Sequence, residues 1–109
     1  MAYDEDLADR IRGLLGKQSY TEKKMFGGLA FLIRGNMSVA ASGQGGLLVR
    51  VDPAQTDKFL KERGAAEMDM GRGPMKGWLR VEARALRDTR SLKKWVDRAV
   101  TFATSLPAK

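Results

Sequence analysis

The stretch MFGGLAFLIRGNM, residues 25–37, restricts most strongly what this chain can fold into. The glycine pair Gly27-Gly28 opens a run of large and branched apolar side chains, and Arg34-Gly35-Asn36 follows as a turn. Residues 29–33 are apolar at every position, as in a strand that is covered on both faces. The turn leads directly into residues 37–41, a second strand-like run, so residues 24–41 read as a hairpin. A phosphate-binding loop would set its glycines between a strand and a helix, with converging amides and a Gly-Lys-Ser/Thr sequence. Neither the helix nor that sequence follows here. The pair therefore reads as a bulge or a close approach by another backbone. The sharper alternative is that the missing side chains leave a shallow groove beside Phe26.

The rest of the chain extends this sheet. Residues 47–51 form a third strand, with Leu47, Val49 and Val51 on one face and Leu48 and Arg50 on the other. Asp52-Pro53 supplies a cap and a first-turn proline for a helix running to about residue 63, where Gly64 stops it. Residues 66–70 read as a short strand, 71–77 as a loop and 78–83 as a further strand. Helices bracket the chain. Leu7, Ile11, Leu14 and Leu15 recur at helical spacing over 4–17. Leu92, Trp95, Val96, Ala99, Val100, Ala103 and Leu106 form a stripe that starts near Asp88 or Ser91 and ends before Pro107. The predicted order is α-β-β-β-α-β-β-α, an α+β domain spanning residues 1–109 in which helices pack on an antiparallel sheet.

Composition narrows the chemistry. The chain has 109 residues with no Cys and no His. That removes thiol nucleophiles, Cys/His zinc sites and the Ser-His-Asp triad. The carboxylates Asp4, Glu5, Asp6 and Asp9 suit a helix start. Glu67 and Asp69 alternate with apolar residues as on a strand's solvent face, and neither set has the spacing of a calcium loop. No catalytic residue, cofactor or metal site is predicted. The longest apolar stretch covers nine residues, 25–33, against about 20 needed to span a bilayer. The acidic start, MAYDEDLADR, is unlike a signal or transit peptide. A cytoplasmic protein without a membrane partner is expected.

Charge supplies the remaining candidates. Net charge is +7, and residues 72–94 hold eight basic residues against two acidic ones. Within this half, GRGPMKGW combines the cations Arg72 and Lys76 with the apolar Met75 and Trp78 on a loop shaped by three glycines and a proline. Such a mixture suits a partner surface or an anion. Arg80, Arg84, Arg87, Arg90, Lys93 and Lys94 offer a separate stripe for nucleic-acid phosphates, without a zinc finger, an RNA-binding aromatic motif or a helix-turn-helix pair.

Residues 24–31, KMFGGLAF, followed by Gly35-Asn36-Met37, resemble the opening strands of the TfoX/Sxy N-terminal domain. Leu48-Val49-Arg50-Val51-Asp52 is similar to that domain's third strand. Gly73-Pro74-Met75-Lys76-Gly77-Trp78-Leu79-Arg80-Val81 resembles the Pro-Met-Lys-Gly segment of its short members, and the final helix with Trp95 also fits. The resemblance runs from about residue 4 to 106. It implies helices on one antiparallel sheet in an arrangement similar to type III secretion chaperones. It also implies a link to natural competence, where longer relatives with a second, C-terminal domain act with a cyclic-AMP receptor protein as positive regulators of DNA-uptake genes. The family has no established catalytic residues to transfer.

The resulting expectation is a non-enzymatic interaction module that acts on a protein partner through Phe26, Gly27, Gly28, Arg72, Met75, Lys76 and Trp78. Open sheet edges leave room for a homodimer. The alternatives are direct nucleic-acid binding through the basic stripe, and a small-molecule or enzymatic role, which requires a deep pocket with converging ionisable groups.

Overall fold

The computed structural model describes residues 3–25, 27–69 and 74–108. Three helices, α1 (Glu5–Leu15), α2 (Thr56–Leu60) and α3 (Thr89–Ser105), accompany six strands: β1 (Thr21–Met25), β2 (Gly28–Ile33), β3 (Asn36–Ala41), β4 (Leu47–Arg50), β5 (Ala65–Asp69) and β6 (Pro74–Val81). The strands form one antiparallel sheet in the order β1-β2-β3-β4-β6-β5. The α+β class and the grouping of helices and strands agree with the sequence reading. The first strand group holds one strand more than expected, because the run expected over 24–34 is shared between β1, which ends at Met25, and β2, which starts at Gly28. Among the described residues no helix is long and apolar enough to cross a membrane.

The division has a local cause. Met25 pairs with Gly28, which leaves a two-residue connection between β1 and β2. Gly27 takes φ +75°, a left-handed value that side chains with a Cβ resist, so it serves the turn. A Cβ on Gly28 would run into the carbonyl of Ala41 on β3, so this glycine lets two backbones come close. Both members of the pair belong to sheet architecture. The next hairpin turns at Arg34 and Gly35, both at positive φ, with Ile33 paired to Asn36. Ser38 is the extra residue where the β2–β3 register shifts. It is fully buried, and its hydroxyl donates to the Phe31 carbonyl at 2.8 Å.

One face of the sheet is covered by helices. Asp4 caps α1, its Oδ1 accepting from the amides of Asp6 and Leu7, and Leu7, Ala8, Ile11 and Leu15 point inward. Asp88 caps α3, which buries Leu92, Trp95, Val96, Ala99 and Ala103. These side chains meet Leu29, Phe31 and Ile33 of β2, Val39 of β3, Leu47 and Val49 of β4 and Leu79 and Val81 of β6 in one core. The expected helix over 52–63 is shorter than predicted. A 3-10 turn at Pro53–Gln55 precedes the five residues of α2. This segment carries the chain past the sheet, so β5 takes the outer edge and β6 returns between β4 and β5. The last strand begins at Pro74 rather than at Trp78, so the end of the expected 71–77 loop is strand.

Candidate functional site

Among the described residues, the apolar cluster on the opposite face of the sheet holds no helix residue. Ala30, Met37, Ala40, Leu48 and Met68 form that cluster, and Met25, Leu32 and Trp78 pack against it half-buried. Strand register explains its make-up. One row crosses all six strands as Lys23, Ala30, Ala40, Leu48, Arg80 and Ala66. Two alanines mark its centre, and a cation stands on each side of them. The neighbouring row brings Thr21, Leu32 and Met37 together at one end and Arg50 and Trp78 at the other. The result is an apolar patch whose centre, Ala30, Ala40 and Met37, is buried, with Met25, Leu32 and Trp78 half-buried over it. The methionine side chain of Met25 is unbranched and polarizable, so this rim can mould to an incoming side chain.

Trp78 is positioned by its neighbours. Gly77 holds φ +88°, and its N–H donates to the buried Thr56 hydroxyl at 2.8 Å. Its carbonyl accepts from the Val51 amide at 2.8 Å. These bonds tie β6 to the α2 segment on one side of Trp78. On the other, the Arg50 guanidinium lies 5.6 Å from the Trp78 ring and 5.5 Å from the Phe102 ring of α3. A planar cation between two aromatic rings is held in place and still presents N–H donors.

The sequence-predicted partner residues fall as follows. Trp78 lies on this face, half-buried, and Lys76 is exposed two residues before it. Gly27 and Gly28 lie at the β1–β2 connection, next to Met25. Phe26 and Arg72 lie outside the described residues, as does the side chain of Met75. Sequence reasoning missed Leu32, Met37 and Met68 as members of this face. Their facing depends on the bulge at Ser38 and on the register of β5, neither of which leaves a mark in one strand's own pattern.

The six residues expected to form a nucleic-acid stripe divide in space. Arg80 lies in the row that crosses the helix-free face and donates to the Ser42 hydroxyl (3.2 Å) and the Gly45 carbonyl (3.3 Å). Arg84, Arg87 and Lys94 line a cleft at the start of α3. Arg90 and Lys93 are exposed on α3 itself, and Lys93 pairs with Asp97 at 2.6 Å.

Two polar ties have no signal in the sequence. Glu62 joins Lys94 and Arg98 of α3, each at 2.7 Å, and Arg98 stacks 4.1 Å from the Phe59 ring and 4.8 Å from the Trp95 ring. The hydrogen bond from Arg98 outweighs partial burial and holds the Glu62 carboxyl below the ordinary glutamate range, with Lys94 adding to it. Across the molecule, Arg12 of α1 pairs with Glu22 of β1 at 2.7 Å and lowers that carboxyl in the same way.

A second cleft, of about 400 Å³, lies between α3 and the α2 segment and includes Asp52, Asp97 and Arg98. Each of these charges already has a structural partner. Asp52 accepts from the Ala54 amide, Asp97 pairs with Lys93, and Arg98 pairs with Glu62.

A family model described as the TfoX N-terminal domain matches residues 13–103, from the end of α1 through most of α3. No curated protein and no solved structure gives a significant match. The matched span contains every strand of the sheet, the apolar patch on its second face and Trp78. The chain belongs to the TfoX N-terminal domain family.

Proposed function

We propose that this protein is a non-enzymatic interaction module that docks a protein partner on the helix-free face of its sheet, around Trp78. One observation carries the reading: among the described residues, Met25, Leu32 and Trp78 stay half-buried on an apolar cluster to which no helix contributes. An aromatic anchor beside adaptable methionines, with a fixed guanidinium alongside, is the composition of an interface centre. Family membership supports a role in transcription regulation, including competence, exerted through such a partner in the cytoplasm.

Site-specific photo-crosslinking in the native cell tests the docking face. A crosslinking residue at Leu32 or Trp78 is expected to capture one discrete partner, and the same residue at Lys17 on the helical side is not. Capture of the same species from all three positions would remove the assignment. The regulatory role is checked by transcript profiling of a deletion strain complemented with wild type or Trp78→Ala. The variant is expected to behave as the deletion does.

A further inference from the structure

We propose that the cleft at the start of α3 binds a compact polyanion carrying linked phosphate groups. The cleft measures about 350 Å³, and Arg63, Arg84, Arg87 and Lys94 surround it, with Ser91 on its wall and Trp95 at its base. Four cations therefore face one carboxylate, Asp88, whose Oδ1 is already bonded to the Arg90 amide. Among the described residues neither Arg63 nor Arg87 lies within ion-pair distance of a carboxylate. Arg84 has only a long contact of 3.4 Å to Glu82, and its side chain is 77% exposed, so it is free to turn inward. Lys94 shares Glu62 with Arg98, so Glu62 keeps a cation when Lys94 turns to a ligand. Behind the cleft, Arg10 of α1 donates to the Leu86 and Arg87 carbonyls at 2.7 and 3.3 Å, which pins this backbone and adds a fifth positive charge.

Like charges gathered around one concavity repel each other, and they focus a positive potential into it. Guanidinium forks match phosphate oxygens in pairs, and several forks converging on one cleft suit adjoining phosphates better than a single carboxylate. Compactness follows from placement. Of the other basic residues expected to form a stripe, Arg80 is on the other face of the sheet, Lys93 is paired with Asp97, and Arg90 alone stays exposed near the cleft. A long nucleic-acid strand would find few phosphate partners beyond Arg90. Trp95 is only 1% exposed and offers no open ring, so recognition in the cleft rests on charge and not on a base stacked on that ring. The α3 amides are not needed either, because Asp88 occupies them through its side chain and carbonyl.

The test is an NMR titration of the intact chain with inorganic pyrophosphate at about 0.15 M ionic strength, where exposed pairs are largely screened. Sulfate at matched ionic strength is the control. Saturable shifts confined to residues 63 and 84–94 are expected, and Arg63→Gln with Arg87→Gln is expected to weaken binding about tenfold or more, a 1.4 kcal/mol change per tenfold. Arg84→Gln, on a largely exposed side chain, gives the same direction if the double variant fails to fold. Lys23→Gln, on the opposite face, leaves the affinity unchanged. Parallel titrations with ADP and adenosine separate the sources. ADP binding tighter than pyrophosphate identifies a nucleotide tail, and equal binding identifies a free polyphosphate. Shifts spread over all surface cations, equal response to sulfate, unchanged affinity in the variants, or an oligothymidylate that outcompetes pyrophosphate and depends on Arg80 would each overturn the proposal. None of these results bears on the partner face, which is read out separately at Leu32 and Trp78.

Discussion

The two tryptophans sit on opposite faces of one sheet and do different work. Trp95 is 1% exposed, packs edge-on against Phe59 at 6.0 Å, and lies in the core that all three helices share with the sheet. Trp78 is half-buried on a small cluster of alanine, leucine and methionine, with Arg50 laid over its ring. The first face joins distant elements, so its residues hold the fold together. The second joins only strands already bonded to each other, so its side chains can be spared for recognition. Burial by tertiary packing and availability for binding are thus separated by a single layer of backbone.

The sharpest test of this contrast is the pair of alanine substitutions. Trp95→Ala is expected to cost about 3–5 kcal/mol in urea unfolding, as for other large core aromatics. Trp78→Ala should cost about 1 kcal/mol, in keeping with partial burial and loss of one cation–π contact. Equal losses would show that the helix-free face is also structural core. Gly28→Ala comes next, at about 2–3 kcal/mol, because its new methyl group forces β2 and β3 apart. The same unfolding curves measure it, and a neutral result would mean that the strands separate without strain.

The smallest expected effect is electrostatic. Glu62 has a folded-state pKa below its unfolded value, so it stabilises the native state above about pH 4.3 and loses this contribution as pH falls through the folded value. Glu22 behaves alike through Arg12. Glu62→Gln is expected to lower stability by about 1 kcal/mol near neutrality, since the group is partly exposed and its attraction partly screened. It should also flatten the decline in thermal midpoint between pH 5 and about 3. A variant whose midpoint falls as steeply as that of the parent would assign the acid sensitivity elsewhere.

Much of the covered face was legible in the chain. The α3 stripe from Leu92 to Ala103 recurs at a spacing that only a helix satisfies, and the carboxylates from Asp4 to Asp9 marked the start of α1. The Arg34-Gly35 turn announced its hairpin. What escaped were features set by neighbours in space. Strand β1 reads TEKKM, with no alternation, because an edge strand at the rim is exposed at most positions. Pro74 and Gly77 read as loop punctuation, yet Gly77 is a strand residue whose φ and two hydrogen bonds serve the α2 connection. Of the partner residues, Trp78 could be named from its mixed surroundings, whereas Leu32 and Met68 needed the register. The phosphate cleft needed Arg63, which the sequence separates from Arg84 and Arg87 by two strands.

The tip of the β2–β3 hairpin is fastened to the far end of α3, with Asn36 Nδ2 donating to the Pro107 carbonyl at 2.9 Å and Arg34 Nη1 to that of Thr104 at 3.3 Å. During synthesis, therefore, Phe31, Val39 and Val49 wait for a lid that begins some forty or more residues later, at Thr89, since long-range closure precedes their burial. The nascent meander has to remain soluble through that interval, and the lysines of β1 guard its outer rim against pairing with other chains.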